Sequence, residues 1–167
     1  DTITELKDSE FKLLLITKDD KDGSIVSYLK KKRIMDKVSI IGFVPPWKVP
    51  QIMAASTCIV SAEHDFPVEI HNPRIVREAM ACGKCVLISE DICRSWPYCD
   101  LQNGREIIKF NPKNSIDFRN KLTFILDQPH LVKNIGENAR KFAEKIENFD
   151  TYIASNQEIY KKIIKDK

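Results

Sequence analysis

The chain has 167 residues, of which 43% are hydrophobic, which is the size and composition of one compact domain with its own core. Its 27 basic and 24 acidic residues leave a net charge of only +3, a balance that argues against a nucleic-acid partner. No apolar run approaches the ~20 residues that cross a bilayer, and Asp1 to Glu5 lack the features of a signal peptide. We therefore expect a cytoplasmic protein.

Basic residues cluster from Lys30 to Arg33 and again from Lys161 to Lys167. Both clusters lie on the polar face or at the end of a predicted helix, which favours a solvated surface. Contact with a membrane surface or an acidic partner is the alternative interpretation.

The five cysteines are an odd number in a chain of ordinary core size, so reduced thiols are expected. Cys82 and Cys85 form a Cys-x-x-Cys pair, and Cys93 and Cys99 could complete a four-thiolate zinc site. Redox pairs of this type follow a strand at a helix start, whereas this pair ends a predicted helix and opens a predicted strand. A structural role is therefore favoured over zinc or redox chemistry.

Short apolar runs alternate with helical patterns along the first part of the chain. Phe11 to Thr17 is a mostly apolar run closed by a polar turn, as in a buried strand. From Ser24 apolar residues recur at helical spacing, and Lys37 to Gly42 predicts a second strand. Strand, helix, strand is the repeating unit of a parallel sheet.

The same alternation continues to the end of the chain, without a repeat, hairpin or linker. The predicted elements are a helix from Trp47 to Ala55, a strand from Cys58 to Ser61, a helix from Asn72 to Cys82, strands from Cys85 to Ser89 and Glu106 to Phe110, and helices from Ser115 onwards. The fold class is α/β, with a doubly wound, Rossmann-like parallel sheet. Such sheets bind ligands outside the carboxyl ends of their strands, so a site is expected after Ser61.

A helix start with anion-binding character follows that strand. Asn72 is predicted to cap the helix and Pro73 to occupy its first position, while Gly83 suits the left-handed conformation that ends a helix. The unpaired N–H groups near Arg74 and Ile75 would then point into the crevice and could hold a diphosphate.

Three charged side chains follow the helix start. Arg74 and Arg77 could strengthen phosphate binding, although surface charges of this kind need no special explanation. Glu78 lies one turn further along, where a carboxylate can accept hydrogen bonds from two ribose hydroxyls. From spacing alone, a solvent-facing Glu78 is the more common case.

The segment from Arg77 to Ser89 reads Arg-Glu-Ala-Met-Ala-Cys-Gly-Lys-Cys-Val-Leu-Ile-Ser. It closely resembles the Glu-Ala-Met-Ala-x-Gly-x-Pro-Val-Ile segment of the family-4 retaining glycosyltransferases of the GT-B fold. Three further segments are similar to that family's pattern: Val38 to Val44, Val49 to Ser56, and Cys58 to Ser61. The resemblance runs from about Phe11 to Tyr160.

The resemblance implies a function and several site residues. In that family a nucleotide sugar binds between two Rossmann-like domains, mainly to the C-terminal one. By resemblance, Glu78 holds the ribose, and Gly42, Phe43 and Val44 lie where the family places the nucleobase. The chain would thus be the donor half of a retaining enzyme that transfers a hexose to an unknown acceptor, without a cofactor or an essential metal.

The first of the family's two motif glutamates does not align simply. The family has Glu-x-Phe-Gly or Glu-x-Phe-Pro and then four residues before the second glutamate, whereas here Glu63 to Pro67 is followed by ten. We infer an insertion of roughly seven residues, which functional loops tolerate. Glu63 and Glu69 are both candidates for the carboxylate that faces the sugar, and Glu69 is slightly favoured because it is nearer the helix start.

The resemblance also implies that residues 1–167 are one domain of a larger assembly. Asp1 to Glu10 contain no equivalent of the family's opening strand, Gly-rich turn and Arg and Lys pair, so a first strand is expected to be missing. The helix from Tyr152 to Lys165 would pack on an N-terminal acceptor domain or a separate subunit. The isolated chain is therefore expected to be inactive, and the full enzyme could associate peripherally with a membrane.

Two other interpretations remain open from the sequence. A non-catalytic, flavodoxin-like regulatory or protein-interaction module would have the same sheet, because a fold does not specify a function. A sugar-nucleotide epimerase of the GT-B fold would need further carboxylates from another domain.

Overall fold

A computed structural model describes residues 2–6, 8–17, 23–66, 72–95, 97–146 and 149–165. The strands are β1 (Leu13–Ile16), β2 (Val38–Ile41), β3 (Cys58–Ser61), β4 (Cys85–Ser89) and β5 (Ile108–Phe110). The α-helices are α1 (Thr2–Glu5), α2 (Ser24–Lys31), α3 (Val49–Ala55), α4 (Arg74–Ala81), α5 (Ser115–Asp127), α6 (Pro129–Ile146) and α7 (Phe149–Lys165). Each of the five predicted strands is present within its predicted segment.

All strand pairs are parallel, which confirms the predicted α/β class. β1 pairs with β2, placing Leu13 opposite Val38. β4 lies between β3 and β5, and Cys58 of β3 is opposite Cys85 of β4. The strands therefore form two parallel sheets instead of one continuous sheet, and no strand among the described residues joins β1 to β3.

β4 is the centre of the core, and all five of its residues are buried. Val86 and Ile88 belong to a cluster that includes residues of α3, α4 and α6. Cys85 and Leu87 belong to a second cluster with residues of α5 and α6. Because successive strand residues point to opposite faces, β4 is covered by helices on both sides, as a doubly wound sheet requires.

The end of α4 follows the sequence prediction. Gly83 has a φ of 68°, and its N–H donates to the Met80 carbonyl at 2.9 Å. The Lys84 N–H donates to the Ala79 carbonyl at 2.9 Å, which completes a Schellman motif. The predicted helix stop at Gly83 is confirmed.

α6 crosses this turn at very close range. A Cβ atom added to the buried Gly136 would lie 2.3 Å from the Gly83 carbonyl oxygen and 2.9 Å from the Cys85 nitrogen. Only a residue without a side chain fits there, so Gly136 sets how closely α6 approaches the connection between α4 and β4.

We predict that Gly136→Ala destabilises the protein, although alanine normally stabilises a helix by about 1 kcal/mol relative to glycine. The clash with the Gly83 backbone should outweigh that gain and cost about 1–3 kcal/mol, as overpacked cores do. Urea unfolding measures the change. Gly42→Ala is the matched control, because its Cβ would meet nothing within 4 Å. An unchanged or higher midpoint for Gly136→Ala would contradict the prediction.

α7 differs from the other long helices in its exposure. Its described side chains are exposed apart from the half-buried Asn156. The exposed apolar residues are Tyr152, Ile153, Ile159, Tyr160, Ile163 and Ile164. Within the described ranges, no helix combines the length and apolar character needed to span a bilayer.

Candidate functional site

A side-chain hydrogen bond holds the loop after β3 against the end of β4. The hydroxyl of Ser89, a fully buried residue, donates a hydrogen bond to the Glu63 carbonyl at 2.5 Å. The same hydroxyl oxygen lies 3.4 Å from the Ile92 nitrogen, which donates to it. The backbone of Glu63 is thus held at the carboxyl edge of the sheet, and Glu63 itself is exposed to solvent.

Asp65 connects this loop to the loops that follow β4 and β5. Its carboxylate is 2.8 Å from the Lys113 ammonium and 2.9 Å from Nδ1 of His64. Its backbone N–H donates to the Asp91 carboxylate at 3.2 Å. The hydrogen bonds from Lys113, and then from His64, hold the pKa of Asp65 below its ordinary value.

We predict that Lys113→Met raises the pKa of Asp65 toward its ordinary value of 3.8, because the larger of its two stabilising hydrogen bonds is lost. Carboxyl ¹³C NMR titration measures this directly. Since the pKa in the folded state lies below that in the unfolded state, the pair stabilises the fold above the unfolded pKa. That stabilisation is lost as the pH falls through the folded pKa.

Lys133→Met is the control for this titration, because Lys133 on α6 pairs with Glu137 and not with Asp65. This variant should leave the Asp65 titration unchanged. An Asp65 pKa that stays low in Lys113→Met would contradict the prediction, because the hydrogen bond from Lys113 would then not be what lowers it.

The start of α4 differs from the sequence prediction. The helix begins at Arg74, and Pro73 is the N-cap, with extended backbone angles of −66° and 123°. The Asn72 side chain does not cap the helix, because its Oδ1 accepts a hydrogen bond from the buried Tyr98 hydroxyl at 2.7 Å. The predictions that Asn72 caps and that Pro73 occupies the first position are therefore wrong. A buried phenol needs a polar partner, and the Tyr98 hydroxyl lies within hydrogen-bond distance of both the Asn72 amide oxygen and the Pro73 carbonyl oxygen, at 2.7 and 3.0 Å.

Charged side chains of α4 line a cavity of about 400 Å³ between this helix and the C-terminal half of α6. Its lining residues are Arg74, Arg77, Glu78, Ala81, Ala143 and Glu144. Arg74, Arg77 and Glu78 were singled out from the sequence, and the structure brings them together. Ile75, by contrast, is partly buried and packs against the core. The α6 residues gave no sequence signal, because they reach the cavity only through the packing of α6 on α4.

The segment after β2 also lies at the carboxyl edge of a strand. Phe43 is 72% exposed, and a Cβ at Gly42 would meet open space. Gly42, Phe43, Val44 and Glu63 are not among the described residues that line the cavity beside Glu78. The predicted donor-binding residues thus lie in separate places along the edge. Glu69 lies outside the described residues.

The cysteine arrangement is typical of a structural role. In the described part of the chain, no three His, Cys, Asp or Glu side chains are placed to hold a metal ion. Burial raises the pKa of Cys93 to about 11, and the pKa of Cys85 is raised by the neighbouring Cys58 thiol and by burial. The raised pKa values of Cys85 and Cys93 keep these two thiols protonated, as expected for buried structural cysteines.

Parallel strands covered by helices on both faces, with charged residues after the strand ends, define a Rossmann-like α/β domain. Residues 2–142 match the family described as Glycosyl transferases group 1. This match covers more than half of the chain, and the chain belongs to that family. A comparison with curated proteins gave no match.

Solved structures of this fold resemble the chain closely in three dimensions. Sucrose-phosphate synthase from Thermosynechococcus elongatus has a TM-score of 0.82 at 17% identity, over 99% of this chain and 42% of that one. Anabaena HepE in complex with UDP has a TM-score of 0.73 at 18% identity, over 98% and 44% of the two chains. The C-terminal domain of a group 1 glycosyl transferase from Francisella tularensis, LpcC, has a TM-score of 0.67 at 18% identity, over 87% and 74%.

These structures confirm the predicted fold, a Rossmann-like half of the GT-B architecture. The chain spans less than half the length of the first two proteins.

Proposed function

We propose that this chain binds a nucleoside-diphosphate sugar as the donor half of a family-4 retaining glycosyltransferase. The observation that carries the proposal is the cavity in which Glu78 lies beside Arg74 and Arg77. Membership of the group 1 family supports it, as does the presence of UDP in the structure of Anabaena HepE. The transferred group would be a hexose, and the acceptor is unknown.

The charges of the cavity fit the two parts of such a ligand. Arg74 and Arg77 supply guanidinium groups that bind phosphate oxygens well, and the N-terminus of α4 adds a positive dipole end. The Glu78 carboxylate can accept hydrogen bonds from both ribose hydroxyls at once. Opposite charges in one cavity would therefore orient the ligand as well as hold it.

The nucleobase would lie against the segment from Gly42 to Val44. The exposed ring of Phe43 offers an apolar face for stacking, and the open space at Gly42 permits close approach of a flat ring. This assignment rests on the family resemblance together with that exposure.

The reaction itself would need a carboxylate near the sugar, supplied by Glu63 or Glu69. Such a group can stabilise positive charge that develops at the anomeric carbon while the arginines stabilise the leaving diphosphate. This scheme uses no cofactor and no essential metal. Acceptor binding would require an N-terminal domain or a separate subunit, against which the exposed apolar residues of α7 would pack. Without that part the chain would bind donor but transfer nothing.

The full enzyme would act in the cytoplasm, where it could associate peripherally with a membrane. The exposed lysines of α7 and of the end of α2 would then face anionic lipids.

We predict that Glu78→Ala weakens the binding of UDP by about 1–3 kcal/mol, the cost of removing charge-assisted hydrogen bonds to the ribose. Isothermal titration calorimetry with UDP, GDP and their glucose conjugates measures the affinity. Glu137→Ala is the matched control, because Glu137 is an exposed glutamate of α6 that pairs with Lys133. Absence of binding by every nucleotide at millimolar concentration would favour a non-catalytic interaction module.

We predict that the glutamate that faces the sugar can be identified by comparing how each alanine substitution changes the affinity for UDP and the affinity for UDP-glucose. Glu78→Ala should weaken UDP and UDP-glucose equally, because both ligands carry the ribose. Alanine at Glu63 or Glu69, whichever faces the sugar, should weaken UDP-glucose alone, by about 1–3 kcal/mol. Calorimetry of the three single variants with both ligands identifies the residue. Equal affinities of UDP-glucose for wild type and both of these variants would remove Glu63 and Glu69 from the sugar site.

A further inference from the structure

Two asparagines stand at the starts of α4 and α5, and their side chains have different partners. Asn114 is the N-cap of α5, and its side-chain oxygen accepts hydrogen bonds from the Ile116 and Asp117 N–H groups, both at 3.1 Å. Asn72 precedes α4, and its side-chain oxygen lies 2.7 Å from the Tyr98 hydroxyl instead. A side chain therefore caps the start of α5, whereas the asparagine before α4 is bonded elsewhere.

The first N–H groups of α4 consequently keep their capacity to donate hydrogen bonds. The Val76 N–H donates to the Pro73 carbonyl at 3.2 Å. No described residue accepts a hydrogen bond from the N–H of Arg74 or of Ile75. An asparagine side chain can accept from the N–H groups two or three residues further along the chain. Arg74 and Ile75 have those positions relative to Asn72, so an unrestrained Asn72 side chain would compete with a ligand for them.

Tyr98 is placed to prevent that competition. Its ring is fully buried in the same core cluster as Val76 and Met80 of α4. Because a close-packed core leaves such a ring little freedom to move, the hydroxyl stays beside the helix start. A phenol has one proton to donate, and here it is directed at two oxygens that precede α4, those of the Asn72 side chain and the Pro73 carbonyl.

A buried hydroxyl at the same edge of the sheet has no partner. Ser61, the last residue of β3, is 3% exposed, and its hydroxyl forms no hydrogen bond within the described part of the chain. Ile59, which points to the same face of β3, packs in the cluster that contains Val76 and Met80. Ser61 thus faces α4 at the carboxyl end of β3, the edge at which α4 begins. Buried hydroxyls are rarely unpaired, so this one points to a ligand oxygen beside the helix start.

We propose that Tyr98 is a positioning residue of the donor site. Its hydroxyl holds the Asn72 side chain away from the first turn of α4, which leaves the Arg74 and Ile75 N–H groups free to bind the diphosphate. This role rests on the proposed donor-binding function, and it deepens that function by naming the contact that keeps the helix start open to a phosphate. It also gives a functional reason why Asn72 does not cap the helix.

The test titrates inorganic pyrophosphate into ¹⁵N-labelled protein and follows the amide signals by NMR. In the wild type we expect the signals of Arg74 and Ile75 to shift more than those in the first turn of α5, where the N-cap side chain already occupies the amides. Tyr98→Phe keeps the buried ring and removes only the hydroxyl. We expect it to weaken pyrophosphate binding about fivefold, because the released Asn72 side chain then caps α4.

A double variant separates this role from a general contribution to folding. Tyr98→Phe combined with Asn72→Ala lacks the competing side chain as well as the hydroxyl, so it should recover the wild-type affinity for pyrophosphate to within about twofold. If Tyr98 only stabilised the fold, the double variant would bind no better than Tyr98→Phe. Tyr28→Phe is the matched control, because Tyr28 is an exposed residue of α2, and it should bind as the wild type does.

Equal pyrophosphate affinities of the wild type and Tyr98→Phe, or no recovery in the double variant, would overturn the proposal. Hydrogen exchange in the ligand-free wild type needs no variant, and exchange as slow at Arg74 and Ile75 as in the first turn of α5 would also overturn it. Pyrophosphate carries no ribose, base or sugar. A wild type that binds pyrophosphate at α4 but no nucleotide would therefore overturn the proposed function while supporting this role of Tyr98.

Discussion

The close contact of α6 with the turn after α4 is the constraint on which the rest of the site depends. Gly136 lets the α6 backbone reach the Gly83 carbonyl at a distance that no side chain permits. From that contact α6 continues along α4, so that two turns later Ala143 and Glu144 stand beside Glu78. The position of the α6 wall of the cavity is therefore set by backbone packing at Gly136.

Polar contacts position the loop after β3, which carries the exposed Glu63. Ser89, buried at the end of β4, fixes the backbone of Glu63, and Asp65 joins Lys113 and the loop that contains Asp91. These contacts cross between the loops after β3, β4 and β5, so a loop that emerges from one strand is positioned by its two neighbours. The cavity thus has a helical wall, while the backbone of Glu63, one of the two candidate sugar-facing glutamates, is positioned by a hydrogen bond from Ser89, and the adjoining Asp65 by an ion pair that acid weakens.

Sequence patterns predicted the elements better than the contacts between them. Leu-Leu-Leu-Ile and Cys-Val-Leu-Ile-Ser are unambiguous strands, and Gly83 ends α4 in the predicted way, because these features depend on neighbouring residues alone. The start of α4 depends on Tyr98, which takes the Asn72 side chain from more than twenty residues away. A capping rule considers only local partners, so it could not anticipate that competition.

By itself the sequence determined the α/β alternation and the family, and it selected Glu78 as a candidate, because apolar periodicity and a contiguous motif are properties of adjacent residues. Only the tertiary structure decided that Arg74, Arg77 and Glu78 share a cavity with Ala143 and Glu144 of α6. This cavity joins segments that are distant in the chain. Its geometry is set by how closely the backbone of α6 packs on the turn after α4, which no local pattern encodes.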